Sequence, residues 1–145
     1  MTGYHVVEPE VAGGWGPDTQ FTRTPGQPVV VYKLHYVFDG WLGDQLLETS
    51  PCYIVTAALA DRITQANLTG FVLDSVNISK SDQFESLYPG RELPDFRRLR
   101  VEGAAGQDDF GVTRDLMLVV SDTALATLQD VGIAHALVEP YDGAA

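Results

Sequence analysis

Apolar and polar positions along this chain repeat one pattern twice. Tyr53 to Ile78 runs from an apolar segment through a hydroxyl residue into a helical rhythm, then a short turn and a second apolar segment, and Leu118 to Tyr141 does the same. In the first, Leu59, Ala60, Ile63 and Ala66 fall at i, i+1, i+4 and i+7; in the second, Ala124, Leu125, Leu128 and Val131 do. Each set makes one apolar stripe, the periodicity of a helix with a single face on a core. Thr56 and Ser121 precede the stripes as N-caps, because a hydroxyl oxygen accepts from free N–H groups in the first turn. Asp122 adds negative charge where the helix dipole is positive. Asn67 and Gly132 tolerate a left-handed exit, with Leu68 and Ile133 tucked beneath it. A constant shift of 65 positions lays Thr56 on Ser121, Leu59 on Ala124, Ile63 on Leu128 and Leu68 on Ile133. We read the two stretches as a strand–helix–strand pseudo-repeat, with parallel pairing inside each unit under the right-handed crossover rule.

The remaining segments predict shorter elements. Tyr4 to Val7 reads as a short strand. Pro9 to Pro28 holds four prolines and four glycines, which predicts a loop over 9–28, either tied down by Trp15 and Phe21 or free as an arm. Val29 to Phe38 alternates with period two, which predicts one strand. Val30, Tyr32, Leu34, Tyr36 and Phe38 are its core face; Val29, Val31, Lys33, His35 and Val37 are its part-exposed face. Phe38-Asp39-Gly40 reads as a turn and Asp44 to Glu48 as a helical turn. Ser81, Asp82 and Glu85 predict a capped turn of helix carrying Phe84 and Leu87. Arg97 to Gly103 reads as a strand with Leu99 and Val101 on one face, and Leu116 to Val120 as a central strand buried on both sides. The sum is an α+β fold in one domain, 1–145: a mixed, mostly antiparallel sheet of about six strands with two helices on one face.

Composition changes this picture in one respect. A chain of 145 residues buries a core without staples, and one cysteine, Cys52, excludes an internal disulfide. Against 9 basic residues stand 20 acidic ones, a formal net charge of −11. Such a surface repels nucleic acid and anionic membranes and draws in basic partners. The opening MTGYHVVEPE has neither a basic start nor an apolar run, so no signal peptide is expected. No segment approaches the roughly 20 apolar residues of a membrane span. The expected location is the cytoplasm.

Candidate chemistry is sparse. Cys52 next to a histidine and a carboxylate would be a nucleophile, but a lone cysteine at the edge of an apolar strand more often packs as a small hydrophobe. His5, His35 and His135 have no metal-ligand spacing, and neither metal nor cofactor is expected from them. Gly13-Gly14-Trp15-Gly16 is not followed by a helical pattern, so it is no phosphate cradle. Arg91, Arg97, Arg98 and Arg100 form the one basic cluster, and pairing with Glu92, Asp95 or Glu102 is its expected use. Trp41, Tyr53, Phe84, Tyr88 and Phe110 lie in or beside acidic segments, a composition that suits capture of a basic surface as well as it suits core ends beneath loops. The predicted partner-binding residues are Asp39, Trp41, Asp44, Asp82, Phe84, Glu85, Asp108 and Asp109. No catalytic residue is assigned.

The run VVSDTALATLQDVGIAHALVEP, preceded by Leu93-Pro94-x-Phe96 and by the acidic pair Asp108-Asp109, resembles small bacterial immunity proteins of the polymorphic-toxin systems. The resemblance covers roughly Leu93 to Pro140. It implies a small cytosolic inhibitor that binds and blocks a cognate toxin domain, and it transfers no site residues. The expected function is therefore non-enzymatic binding of a basic protein. The alternatives are a small enzyme or ligand-binding domain with a pocket near His35 and Cys52, and a homodimer paired through a free sheet edge.

Overall fold

The computed structural model describes residues 3–143. In chain order the strands and helices are β1 (Tyr4–Glu8), β2 (Gly13–Trp15), β3 (Gln20–Thr22), β4 (Val30–Lys33), β5 (His35–Phe38), β6 (Leu46–Thr49), β7 (Cys52–Thr56), α1 (Ala57–Gln65), β8 (Phe71–Asp74), β9 (Asn77–Lys80), α2 (Asp82–Leu87), β10 (Phe96–Val101), β11 (Phe110–Val112), β12 (Leu118–Ser121), α3 (Asp122–Val131) and β13 (Leu137–Tyr141). The fold is α+β and mostly antiparallel. The strands divide among four small sheets, β11-β12-β1-β13, β6-β7-β10-β8, β2-β5-β9 and β3-β4, where the hydrophobic pattern predicts a single one. Among the described residues no helix is long and apolar enough to cross a membrane.

The two four-stranded sheets share one strand order, and across the central strand and its two neighbours the match runs residue by residue, while the edge strands β6 and β11 differ by one residue in register. In the first, Arg98 of β10 faces Ile54 of β7 and Asp74 of β8. In the second, Val6 of β1 faces Val119 of β12 and Glu139 of β13, each flanking residue 65 positions beyond its counterpart. The neighbouring row repeats the relation, with Leu99 between Tyr53 and Leu73 and Val7 between Leu118 and Val138. The helices obey the same shift. Thr56 Oγ1 accepts from Leu59 N, and Ser121 Oγ from Ala124 N. Leu59, Ala60 and Ile63 are the buried face of α1, and Ala124, Leu125 and Leu128 that of α3. Both faces enter one apolar cluster with Val7, Tyr53, Val55, Leu99, Phe110, Leu118 and Val120. Each fully buried Leu or Ile there contributes about 1.5–3 kcal/mol.

Within each unit the two strands do not pair directly, contrary to the expected parallel pairing. An antiparallel strand lies between them: β10 in the first unit, β1 in the second. The second unit thus takes its central strand from the N-terminus, a relation of distant segments that no local pattern carries. After their own sheets, both central strands run on to the other one. Glu10 bridges Leu47 of β6, and Ala104 bridges Val112 of β11, both in parallel.

The halves are also held together by carboxylates. Asp109, just before β11, accepts from Thr69 N (2.9 Å) and Thr69 Oγ1 (3.2 Å) on one oxygen and from Ser121 Oγ (2.6 Å) on the other. Asp44, 65 positions earlier and just before β6, accepts from His135 N and from His135 Nδ1, both at 2.9 Å. Each aspartate therefore satisfies the segment that leaves the opposite half's helix. Asn67 and Gly132 open those segments with positive φ, 55° and 134°.

Several local expectations change. Pro9–Pro28 is not a structureless loop: it contains β2 and β3, and Trp15 meets Phe21 with ring centroids 4.9 Å apart. Strand β2 lies against β5 so closely that a Cβ on Gly13 would stand 1.8 Å from the Val37 carbonyl oxygen, and one on Gly16 2.2 Å from His35 Nδ1. Close packing explains Gly13 and Gly16, while Gly14 faces open space. The single strand predicted over Val29–Phe38 breaks at Leu34, because β4 pairs with β3 while β5 pairs with β2 and β9. The break reverses the alternation before it, so Val31 is buried while Val30 and Tyr32 are exposed. Asp44–Glu48 is not helical, since Leu46 to Thr49 pair with β7 as β6.

Asp109→Ala strips the acceptor from Thr69 N and the Ser121 hydroxyl, and is expected to cost about 1–3 kcal/mol in equilibrium urea unfolding. Asp115→Ala, at an exposed acid without such bonds, is expected to stay within about 0.5 kcal/mol. Equal losses from the two variants would remove the latch from the account of stability.

Candidate functional site

Three segments meet at one surface groove: Glu10–Gly13 after β1, Asp39–Leu42 after β5, and α2 with Tyr88. The groove is shallow and open, about 370 Å³. Three large apolar side chains stand in it unusually bare, Val11 at 66% exposure, Leu42 at 61% and Leu87 at 58%. Half-buried Trp41 and Tyr88 lie among them. An apolar patch rimmed by polar groups marks an interaction surface on a soluble protein.

The floor is rigid for reasons legible in its hydrogen bonds. Tyr36, fully buried in β5, accepts from Ala12 N (2.9 Å) and donates to Glu48 O (3.2 Å). Burial pushes its phenol up to about 12, against the opposing pull of the Ala12 bond, so the proton needed for that donation stays in place. Ala12 O accepts from Asp39 N and Gly40 N. The Glu10 carboxylate accepts from Leu42 N (2.7 Å) and Asp44 N (3.2 Å), and Trp41 Nε1 donates to Asp44 O (2.9 Å). The loop bearing Trp41 and Leu42 is thus pinned from below by a buried acid. From the side, Arg91 donates to Trp41 O and places its guanidinium 4.8 Å from the Trp41 ring and 5.0 Å from the Tyr88 ring. Lys80 Nζ donates to Arg91 O.

The predicted partner-binding residues divide into two groups. Trp41 and Asp39 lie in the groove, and exposed Asp82 and Glu85 lie on the short helix that supplies Gln83 and Leu87 to it. The others are used inside the chain. Phe84 has no exposed surface and packs edge-on against Phe38. Asp44 is 2% exposed and held by His135. Asp108 accepts from Ala104 N, and Asp109 serves the second latch. Phe84 and Asp44 are thus buried, while Asp108 and Asp109 stay half-exposed with their carboxylates bonded within the chain. Tyr53 and Phe110 are core residues too. Sequence reasoning missed Glu10, Val11, Leu42 and Leu87, whose apolar and polar types look ordinary until distant loops meet. The consecutive turn signals around 39–43 were the one available hint.

Among the described residues, Cys52 and the histidines form no nucleophile–base pair. Cys52 Sγ is contacted by Arg98 Nη2 at 3.6 Å, and burial raises its thiol above the usual range despite that cation. His35 meets Ser79 Oγ through Nε2 (2.8 Å), while its Nδ1 accepts from Asp18 N (3.3 Å) and lies 3.8 Å from the Asp18 carboxylate. A ring nitrogen that accepts from an amide leaves the neutral ring's proton on Nε2. The imidazole then donates to Ser79 instead of drawing its proton, the reverse of what a general base does. His5 pairs with Asp122 at 2.6 Å. Arg100 pairs with Glu102 at 2.7 Å, as the basic cluster predicted. A second cleft, lined by Trp15, Arg23, Thr49, Ser50 and Leu116, opens beside the β3–β4 hairpin, with the Arg23 guanidinium over the Trp15 and Phe21 rings.

One further cluster has metal-ligand character. Glu10, Asp44 and His135 each offer one ligand atom, and these atoms lie within 4.8 Å of one another.

A buried thiol with a raised pKa supplies little thiolate near neutrality. In native protein at pH 8, Cys52 is expected to react with a disulfide reagent at least about tenfold more slowly than free cysteine; reaction at the free rate would refute its burial.

No family model matches this chain and no curated protein matches it, so a functional reading rests on the geometry above.

Proposed function

We propose that the protein is a non-enzymatic binding protein whose 10–13/39–42/α2 groove receives a basic, partly apolar surface of another protein. The observation that carries this reading is the grouping of Val11, Leu42 and Leu87, exposed together beside the Trp41–Arg91–Tyr88 stack. Truncating such anchors usually costs more binding energy than truncating rim residues, and aromatic and Arg side chains are the commonest among them. Asp39, Asp82 and Glu85 supply negative charge at or near the groove in a chain of net −11, which speeds encounter with a cationic partner and repels nucleic acid and anionic membrane. The resemblance to bacterial immunity proteins adds the role: blocking a toxin domain in the cytoplasm of the cell that makes it. A second copy of this chain fits less well. The exposed edge strand β13 carries Glu139 and Pro140, two features that oppose edge-to-edge pairing.

The test compares capture of basic proteins from the producing cell's lysate by wild type and by a Val11→Ser/Leu42→Ser/Leu87→Ser variant. Each side chain is exposed, so folding is expected to survive. Every truncation is expected to weaken a captured partner about tenfold, near 1.4 kcal/mol. Asp39→Lys with Glu85→Lys is expected to slow association and flatten its salt dependence. A partner held equally by wild type and both variants would sink the groove as the binding site.

A further inference from the structure

We propose that Glu10, Asp44 and His135 form a binding site for a first-row divalent transition ion, with Zn²⁺ the reference case. The inference is independent of the partner-binding reading. The residues come from three separate places: the end of the β1 crossover, the loop before β6 and the segment after α3. Their ligand atoms nevertheless converge, from 2.9 Å between Asp44 Oδ1 and His135 Nδ1 to no more than 4.8 Å overall. Donors at tetrahedral angles around Zn²⁺ stand roughly 3.3 Å apart, inside that span.

Charge is the first argument for a cation. Glu10 is 8% exposed and Asp44 2%, so two carboxylates face each other out of water. Among the described residues neither forms an ion pair with Lys or Arg, and His135 is the one basic group in contact. Buried like charges are costly unless a cation compensates them.

The internal repeat supplies the second, independent argument. At the counterpart latch, Asp109 completes its bonds to Thr69 and Ser121 without an imidazole. Where Glu10 bridges Leu47, the other half has Ala104 bridging Val112, 65 positions beyond Leu47. Latching thus needs neither the second carboxylate nor the histidine. Gly70 stands 65 positions before His135, so among the described residues only this half joins an imidazole to its carboxylates, which is the composition of a ligand set.

Donor chemistry selects the ion. An imidazole nitrogen with two carboxylate oxygens suits Zn²⁺ or its neighbours, whereas Mg²⁺ and Ca²⁺ favour all-oxygen shells. Leu42 N and Asp44 N hold the Glu10 carboxylate in orientation, the outer support that metal ligands usually carry. The ion would sit between Asp44 Oδ1 and His135 Nδ1, in place of the hydrogen bond that joins them. His135 is exposed at its rim, so a remaining coordination position would face water.

The test is isothermal titration of chelator-stripped protein with Zn²⁺, alongside thermal melts. The expected result is one saturable site, a rise in melting temperature with Zn²⁺ and none with Mg²⁺, and at least about tenfold weaker binding in Glu10→Gln and in His135→Ala. His5→Ala, which removes the exposed His5–Asp122 pair, is expected to bind as wild type does. His135→Ala removes a half-exposed ring and keeps the backbone bond to Asp44, so circular dichroism can certify its fold. Absence of saturable binding by wild type overturns the proposal, as does undiminished binding by a folded His135→Ala.

Discussion

Each half of this molecule is closed by a carboxylate belonging to the other. Asp44 and Asp109 stand at equivalent places before β6 and β11, and each takes the backbone N–H of the segment leaving the opposite helix. Those segments must turn sharply away from their helices, at Asn67 and Gly132, and a turning backbone that leaves its helix has donors to satisfy. An aspartate satisfies two or three groups at once and does so from one half to the other. The N-cap hydroxyls extend the arrangement: Ser121 donates to Asp109 while accepting from Ala124 N, and Thr56 donates to the Gln45 side chain while accepting from Leu59 N. Helix start, helix exit and sheet edge are thereby fixed together in both halves.

The surface depends on that frame. Because β1 must finish its own sheet and then run beside β6, Glu10 is carried into the interior next to Asp44. From there its carboxylate holds the backbone at Leu42 and Asp44, and Trp41 closes the loop onto Asp44 O. A tight loop with a buried anchor can present Leu42 to solvent without collapsing over it. Arg91, packed against Trp41 and Tyr88, supports the same loop from α2's side. Rigid, exposed apolar groups lose little conformational entropy on binding, which is why such a surface favours recognition.

The same logic accounts for what the histidines do. Each meets an aspartate, His5 with Asp122, His35 with Asp18 and His135 with Asp44, yet the settings differ. His35 is oriented by an amide donor and donates a hydrogen bond to Ser79 Oγ, so it fixes the junction of β5 and β9. His135 alone faces two carboxylates at the edge of solvent. The difference lies in what the neighbouring backbone offers each ring, not in the ring itself.

How much of this could be read along the chain follows from the range of each interaction. The helices, their hydroxyl caps, the first three residues of each buried stripe and the 65-residue repeat were legible, whereas Ala66, the predicted end of the first stripe, is the exposed C-cap of α1. The Ser81-capped turn of α2 was legible too. Periodicity and capping are set by residues within a few positions of one another, and each leaves a local mark. The breaking of the Val29–Phe38 run at Leu34 was not legible, because pairing with different strands, not propensity, divides it. Nor was the fate of the acids: Asp39 and Asp44 lie five positions apart in one loop, yet one is exposed and the other buried. By itself, then, the sequence determined the helices and their caps, the repeat and the acidic character of the chain, because these depend on local spacing and composition. Which strand completes each sheet, which carboxylates the fold consumes, and where Glu10 meets Asp44 and His135 were decided only by tertiary structure, since each requires residues tens of positions apart to satisfy one another's backbone and charge.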